Sequence, residues 1–388
     1  MIIYNKEWLL NKRLQIQALL AFKVGVITKE ENENVLQSYP VGFYSPNFFI
    51  RIGLGVLTFI IILFTNGFFG LLGSTFSSNF SAMLLVTGIF CYAGLEVMVG
   101  KQNHYCSGVD DILLYASVLL IVSGVCYNSS FQNNWPNSMN ALLYFIVTLM
   151  ASLRFLDRLT TIGAYVSLFA FVFFCYLQLG TIAKITMPFV IIILSVVTYF
   201  FSLIAGKKEK WLHYFDCIAV VKILALITFY TAGNYFIIRE LSNSMFQLHL
   251  KPTDNITLGW FFWLWTLIVP IVYITNGILK KKRFFIHVGI VLFVASIATI
   301  RFYHEILPIE IALLSAGAFL ILLGYALLTY LKLPKNNFTA ALLNDEMNLT
   351  NIEALVAVSI ATTNKIPTQQ QTEFGGGSGG GAGASGSY

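Results

Sequence analysis

WFFWLWTLIVPIVYITNGILKKKRFFIHVGIVLFVASIAT, residues 260–299, holds two apolar runs, each long enough for a bilayer crossing, joined by four consecutive basic residues, Lys280 to Arg283. About 20 apolar residues cross a bilayer core as a helix, and Lys and Arg concentrate in the loops on the cytoplasmic side. The stretch therefore reads as two membrane helices with their shared turn inside. Working outward from it, eight more apolar runs follow the same rule.

The sequence predicts ten spans, at about 49–72, 80–100, 111–127, 139–155, 160–180, 185–205, 215–238, 258–279, 284–301 and 308–331. The fourth and ninth are the shortest. With the N-terminus placed inside, Lys6, Lys12, Arg13, Lys23, Lys29, Arg51, Lys101, Arg154, Arg158, Lys207, Lys208, Lys210, Lys280 to Arg283, Lys332 and Lys335 all fall on the inner side. Only Lys184, Arg239, Lys251 and Arg301 fall outside, a bias of 18 to 4. The expectation is an all-α polytopic integral membrane protein with both termini cytoplasmic. Removing one span would put Lys280 to Arg283 outside, against the rule.

Composition agrees: 57% hydrophobic residues, 11% charged and a mean hydropathy of +0.75 lie outside the soluble globular range. The net charge of +6 is accounted for by topology, so no nucleic-acid partner is expected. Cys91, Cys106, Cys126, Cys175 and Cys217 lack CxxC or Cys/His spacing and read as small packing residues. No cleavable signal peptide is expected, since the first 45 residues are amphipathic and charged.

Four regions follow: a cytoplasmic helical hairpin at 1–47, the ten-helix domain at 48–332, a cytoplasmic segment with a short helix at 333–366, and a disordered Gln/Gly-rich tail at 367–388. In the hairpin, Trp8, Leu9, Leu14, Ile16, Leu19, Leu20 and Phe22 give a mainly apolar helix that stops at Gly25. Thr28 and Glu31 have capping-box spacing for a second helix, which Pro40 and Pro46 end. Thr350 and Glu353 repeat that spacing ahead of 351–361, where Leu355, Val356, Val358 and Ile360 are apolar. The tail FGGGSGGGAGASGSY cannot bury enough apolar surface to fold. Its Phe374 and Tyr388 are the candidate contacts for a partner.

The segment GVITKEENENVL, Gly25 to Leu36, followed by a proline break and the glycine-containing span IGLGVLTFIIILF, resembles the opening of an uncharacterised family of bacterial polytopic predicted membrane proteins. That resemblance covers roughly the first 65 residues and the many-span layout, and implies a fold without an activity. The tail is similar to the glycine-rich C-termini of bacterial TPM-domain membrane proteins, at Phe374 to Gly377 and Gly383 to Gly386. It closes on Tyr388 where those more often have Trp, and no TPM domain is present. Both resemblances imply a bacterial inner membrane.

Ionisable residues inside spans need a reason. Lys222 lies seven residues into the seventh span, roughly 10 Å deep at the helical rise. Glu96, Asp110, Asp111, Asp157 and Asp216 lie toward the same inner face. The functional reading is a polar pocket in which Lys222 binds an anion or pairs with Glu96. The competing reading is a snorkelling lysine or a static ion pair. Arg301, Glu305 and Glu310, with His304, form a second group at the outer end, where Arg301 and Glu305 have i, i+4 spacing. Gly67, Gly70 and Gly73 are expected to allow close helix contact.

Trp260, Trp263 and Trp265 read as an interfacial anchor belt, and Pro270 as a kink. No HExxH, GxSxG or P-loop motif occurs, so no cofactor, metal or catalytic residue is expected. The leading reading is a non-enzymatic inner-membrane scaffold or accessory protein. Its polar ends would recruit other membrane proteins, and its spans would contact lipid. A small-molecule transporter with a pocket around Lys222 and Glu96 is the alternative, and a membrane-embedded enzyme ranks third.

Overall fold

A computed structural model of the chain describes residues 2–303 except 24, 77–79, 133–135, 247–255, 257 and 281, together with seven scattered positions between 314 and 329. Among the described residues there is no strand beyond one isolated bridge, and nine helices are long and apolar enough to cross a membrane. The tenth expected span, 308–331, lies mostly outside the described residues, as do the 351–361 helix and the glycine-rich tail.

Two short helices, α1 (Lys6–Lys23) and α2 (Lys29–Ser38), precede the bundle. The spanning helices follow as α3 (Phe48–Phe76), α4 (Phe80–Gly100), α5 (Val109–Gln132), α6 (Asn137–Phe155), α7 (Arg158–Leu177), α8 (Thr181–Ala205) and α9 (Phe215–Thr231). After the short α10 (Tyr235–Phe246) come α11 (Gly259–Leu279) and α12 (Arg283–Tyr303). Neighbours in sequence pair as helical hairpins: α4 with α5, α6 with α7, α8 with α9, and α11 with α12. Because the helices alternate in direction, all four hairpin turns, at 101–108, 156–157, 206–214 and 280–282, share one face, called here the turn face.

In lipid the hydrophobic effect does not drive helices together, so close packing and hydrogen bonds must. The α11/α12 hairpin shows how. A Cβ on Gly277 would stand 2.6 Å from Ile286, and one on Gly289 would stand 2.8 Å from Ile274. Each glycine receives the β-branched side chain opposite. In α4/α5 a Cβ on Gly88 would meet Ile121 at 2.7 Å and one on Gly124 would meet Leu85 at 2.8 Å, the same arrangement.

Hydroxyls add a buried polar seam. The Tyr230 hydroxyl lies 3.0 Å from Ser296 Oγ, which itself donates to the Thr266 carbonyl at 2.6 Å. Asn234 Nδ2 donates to Tyr230 and Thr299 at 2.9 and 3.2 Å. Such bonds average about 0.6 kcal/mol each in membrane bundles, so their main effect is to fix register.

The expected seventh span, 215–238, is corrected here. α9 stops at Thr231, and Asn234 opens α10 by accepting from the Ile237 amide at 3.2 Å. The interruption falls at Ala232–Gly233–Asn234 because Gly233 must leave room for the Trp265 indole, which a Cβ would strike. α10 packs on α8 and α11 at the face opposite the hairpin turns.

Candidate functional site

The turn face is built around residues 101–108. After α4 ends at Gly100 the chain takes left-handed conformations at Asn103 (φ 54), Cys106 (φ 52) and Gly108 (φ 92). A Cβ on Gly108 would strike the Arg51 carbonyl, so only glycine lets α3 approach this closely. Asp110 closes the loop by accepting from the Cys106 and Ser107 amides at 2.8 Å each and from Ser107 Oγ at 2.9 Å. His104 Nδ1 lies 2.7 Å from the same Ser107 oxygen. A Ser nucleophile needs the imidazole between it and the carboxylate. Here the serine sits in the middle and is fully buried, so the His104–Ser107–Asp110 chain fixes a helix start.

The N-terminal hairpin docks on this loop. Tyr44 donates its amide to the Asn103 carbonyl at 2.9 Å and accepts from the Tyr105 amide at 3.1 Å. Tyr4 is sealed with Leu95, Val99, Leu114, Ala151 and Phe155, and the Ile3 amide reaches the Arg154 carbonyl at 3.2 Å. Trp8 covers Gly42, Asn11 donates to the Pro40 carbonyl at 2.9 Å, and Gln15 to the Tyr39 carbonyl at 2.7 Å. Lys12 lies over the Tyr105 ring at 4.5 Å and Arg13 over Phe215 at 4.3 Å. The Thr28–Glu31 capping box is formed, so α2 begins there.

Burial dominates the electrostatics of this seam. It lowers the Lys12 pKa, and it raises Tyr4, with Asp110 adding to the shift. Tyr105 is raised by burial and then by Cys106. The Cys106 thiol is pushed up to about 11, first by burial and then by Asp111.

The carboxylates singled out in the sequence lie toward this face, each satisfied by its own partner. Asp111 on α5 meets Arg51 of α3 at 2.7 Å. Glu96 on α4 meets Arg154 of α6 at 2.8 Å through both Nε and Nη2. Asp216 on α9 meets Arg158 of α7 at 3.0 Å. Asp157 caps α7 through the Thr160 amide at 2.7 Å and accepts from the Tyr115 hydroxyl at 2.9 Å. The expected Lys222–Glu96 pair is therefore not formed, because α6 rather than α9 brings the cation to Glu96. Among the described residues no carboxylate pairs with Lys222. Its ammonium stands beside Gly206 at the carboxyl end of α8.

The other candidates are placed unevenly. Arg301 lies in the last turn of α12, whereas His304, Glu305, Glu310, Phe374 and Tyr388 lie outside the described residues. Among the described residues Gly67 meets no neighbour and Gly70 only the Met83 sulfur, so neither glycine receives a side chain as Gly88 and Gly277 do. Of the three tryptophans only Trp260 is strongly exposed; Trp263 stacks on Tyr235 at 4.5 Å and Trp265 donates to the Phe229 carbonyl at 3.2 Å. Arg239 on α10 carried no signal in sequence beyond its charge, yet it is 4% exposed, with its guanidinium 4.9 Å from the Tyr303 ring centre.

Cavities among the spans are apolar in the main. One of about 640 Å³ lies between α5, α6 and α7, where Val118, Val166 and Phe174 line it together with Asn140, Thr148 and Ser167. Another of about 410 Å³ is walled by Phe229, Phe261, Trp265 and Tyr273. Among the described residues no group of three or more His, Cys, Asp or Glu is placed to hold a metal ion.

Fold and face together define a multi-pass, all-α membrane protein with a docked helical hairpin. Comparison of the chain with protein-family models, with curated proteins and with solved structures gives no match.

Proposed function

We propose that this is a non-enzymatic accessory or scaffold protein of a bacterial cytoplasmic membrane, with both termini inside, recruiting other membrane proteins through its N-terminal hairpin and glycine-rich tail. The observation that carries the reading is that α1 is anchored at one end and bare at the other. Its first half is held by Trp8, Asn11, Lys12 and Arg13, with Tyr4 buried just ahead of it, whereas Ile16, Leu19, Leu20 and Phe22 are exposed by 37 to 51%. A preorganised apolar helix flanked by Lys6, Lys12, Arg13 and Lys23 suits an amphipathic helix carrying acidic residues. The orientation rests on the 18 to 4 charge bias, whose inner-side residues include every basic residue in the hairpin turns.

The test compares photo-crosslinking from position 20 in native membranes for the full chain, a chain ending at Gln371, and an Ile16→Glu variant. A discrete crosslinked protein lost with Ile16→Glu, or co-purification lost with the tail, supports recruitment. The same partners, or none, from all three forms would overturn it.

A small-molecule transporter is the second reading, favoured by one observation. Transporter sites form where spanning helices are interrupted, and the α9/α10 break brings Asn234, Tyr230, Thr299 and Thr266 together, all 5% exposed or less. Under this reading a cysteine at position 234 becomes accessible to reagents from both sides in turn; labelling from neither side removes it.

A further inference from the structure

We propose that the turn face binds the phosphate headgroup of an anionic membrane lipid between Lys222 on α9 and Lys282 in the α11/α12 turn. The inference is independent of the recruiting role.

Charge is distributed asymmetrically over this face. In the part built from α3 to α7, Arg51, Arg154 and Arg158 each hold a carboxylate, and Lys101 in the turn after α4 holds none among the described residues. In the part built from α8 to α12, Lys207, Lys208, Lys210, Lys222, Lys280 and Lys282 hold none among the described residues. Glu209 is the one acid in those two turns, and Asp216 nearby is taken by Arg158.

The carboxyl half of α8 meets the start of α12 through Tyr199 and Phe285, ring centres 6.4 Å apart. That contact brings the Lys222 ammonium beside Gly206 and Lys282 in the turn before α12 to one end of the bundle, where the charge of one acts on the other. Two ammonium groups approaching without a counter-charge repel at the membrane boundary, where water screens poorly. A phosphate between them replaces that repulsion with charge-assisted hydrogen bonds. The carboxyl end of α8 gives Lys222 some compensation through the helix dipole. Yet lysine carries three donors, and Lys222 makes no hydrogen bond to protein among the described residues. Gly206 keeps the space open: a Cβ there would stand 3.1 Å from Lys222 Nζ.

Depth selects a lipid over a soluble anion or an acidic protein. Lys222 begins the third turn of α9, roughly 10 Å beyond its first residue, so its flexible stem brings the ammonium up to lipid phosphate level. A soluble partner would reach Lys207, Lys208 and Lys280 without descending to it. The same helices expose Ile204, Ile223 and Leu279 beside the turns, by 56, 36 and 78%, as contacts for acyl chains. Basic pockets between spanning helices at this level are the usual sites for anionic headgroups.

The experiment is native mass spectrometry of the full chain released from detergent with equal amounts of phosphatidylglycerol and phosphatidylcholine of identical acyl chains. The expected result is retention of phosphatidylglycerol in preference to phosphatidylcholine, falling about fivefold in Lys222→Gln and in Lys282→Gln and unchanged in Lys101→Gln. Lys282→Gln lies in an exposed turn and keeps the test open if Lys222→Gln does not fold. Equal retention of both lipids, or a preference that survives Lys282→Gln, overturns the proposal. So does displacement of the lipid by millimolar inorganic phosphate, which would assign the site to a soluble anion.

Discussion

Glu96 on α4 takes two hydrogen bonds from a single guanidinium, Nε and Nη2 of Arg154 on α6, each at 2.8 Å. Fork-to-fork geometry of this kind fixes both the distance and the rotation of the two helices. α4 and α6 belong to different hairpins, so the pair ties one hairpin to the next where the N-terminal segment of residues 2–4 also enters. Arg51–Asp111 and Arg158–Asp216 link other helices, each through a single carboxylate oxygen. Charges that looked like a binding pocket in the sequence act here as staples.

Glu96→Ala should therefore destabilise the bundle by about 1–2 kcal/mol, between the values for exposed and buried pairs. The side chains are 37% and 28% exposed, which sets that middle range. The double variant Glu96→Leu/Arg154→Leu removes the orphaned charge and should recover part of the loss. Thermal unfolding in detergent, followed by tryptophan fluorescence, reads both; strictly additive losses would mean the two side chains do not interact.

Gly108→Ala and Gly25→Ala should separate sharply, although both glycines have positive φ, 92 and 75. A Cβ at Gly25 meets nothing, leaving only the conformational cost of about 1–2 kcal/mol. At Gly108 the Cβ runs into the Arg51 carbonyl, so α3 must also move away from α5. The yield of monodisperse protein should be near wild type for the first and collapse for the second. Equal yields would place the α3 contact elsewhere.

The spans were legible because a bilayer demands long apolar runs and turns collect basic residues; Lys280 to Arg283 alone placed one hairpin. Partner choice was not. Glu96 and Lys222 share a face, and only the adjacency of α4 and α6 decides that Arg154 takes the carboxylate. Gly67 and Gly88 look alike in sequence, yet one faces open space and the other receives Ile121. The α9/α10 break was hidden because Ala232–Gly233–Asn234 sits in a continuous apolar pattern. What distinguishes it is Trp265, far along the chain, filling the space beside Gly233. Contacts across the fold, not local pattern, carried that information.

Gly289→Leu should open the α11/α12 hairpin, because Ile274 Cγ1 and the Ile274 amide nitrogen lie 2.8 and 3.0 Å from a Cβ at that position. Overpacking of this kind costs about 1–3 kcal/mol, and the backbone atom cannot yield as a side chain would. Gly53→Leu, on α3 where a Cβ meets nothing, serves as the contrast and should be neutral or slightly stabilising through better helix propensity. Protease resistance of the purified variants distinguishes them; equal resistance would dissolve the argument for reciprocal packing.

Cys106 should report the docked hairpin through its reactivity. The thiolate is the reacting species, and burial pushes this thiol up to about 11, so alkylation at pH 8 should be much slower than for an ordinary exposed cysteine. As pH rises the rate should keep climbing through pH 10 and level only above 11, where the thiol is ionised. The linkage has a definite sign: a folded-state value above the unfolded one means the stabilisation holds below the unfolded pKa, about 8.5, and is lost as pH rises through about 11. Undocking α1 by Trp8→Ala and Lys12→Ala should expose the loop and bring the midpoint of the iodoacetamide rate profile down toward the ordinary range. A midpoint near 8.5 in the unaltered chain would mean that residues 101–108 are open to water and that α1 does not cover them.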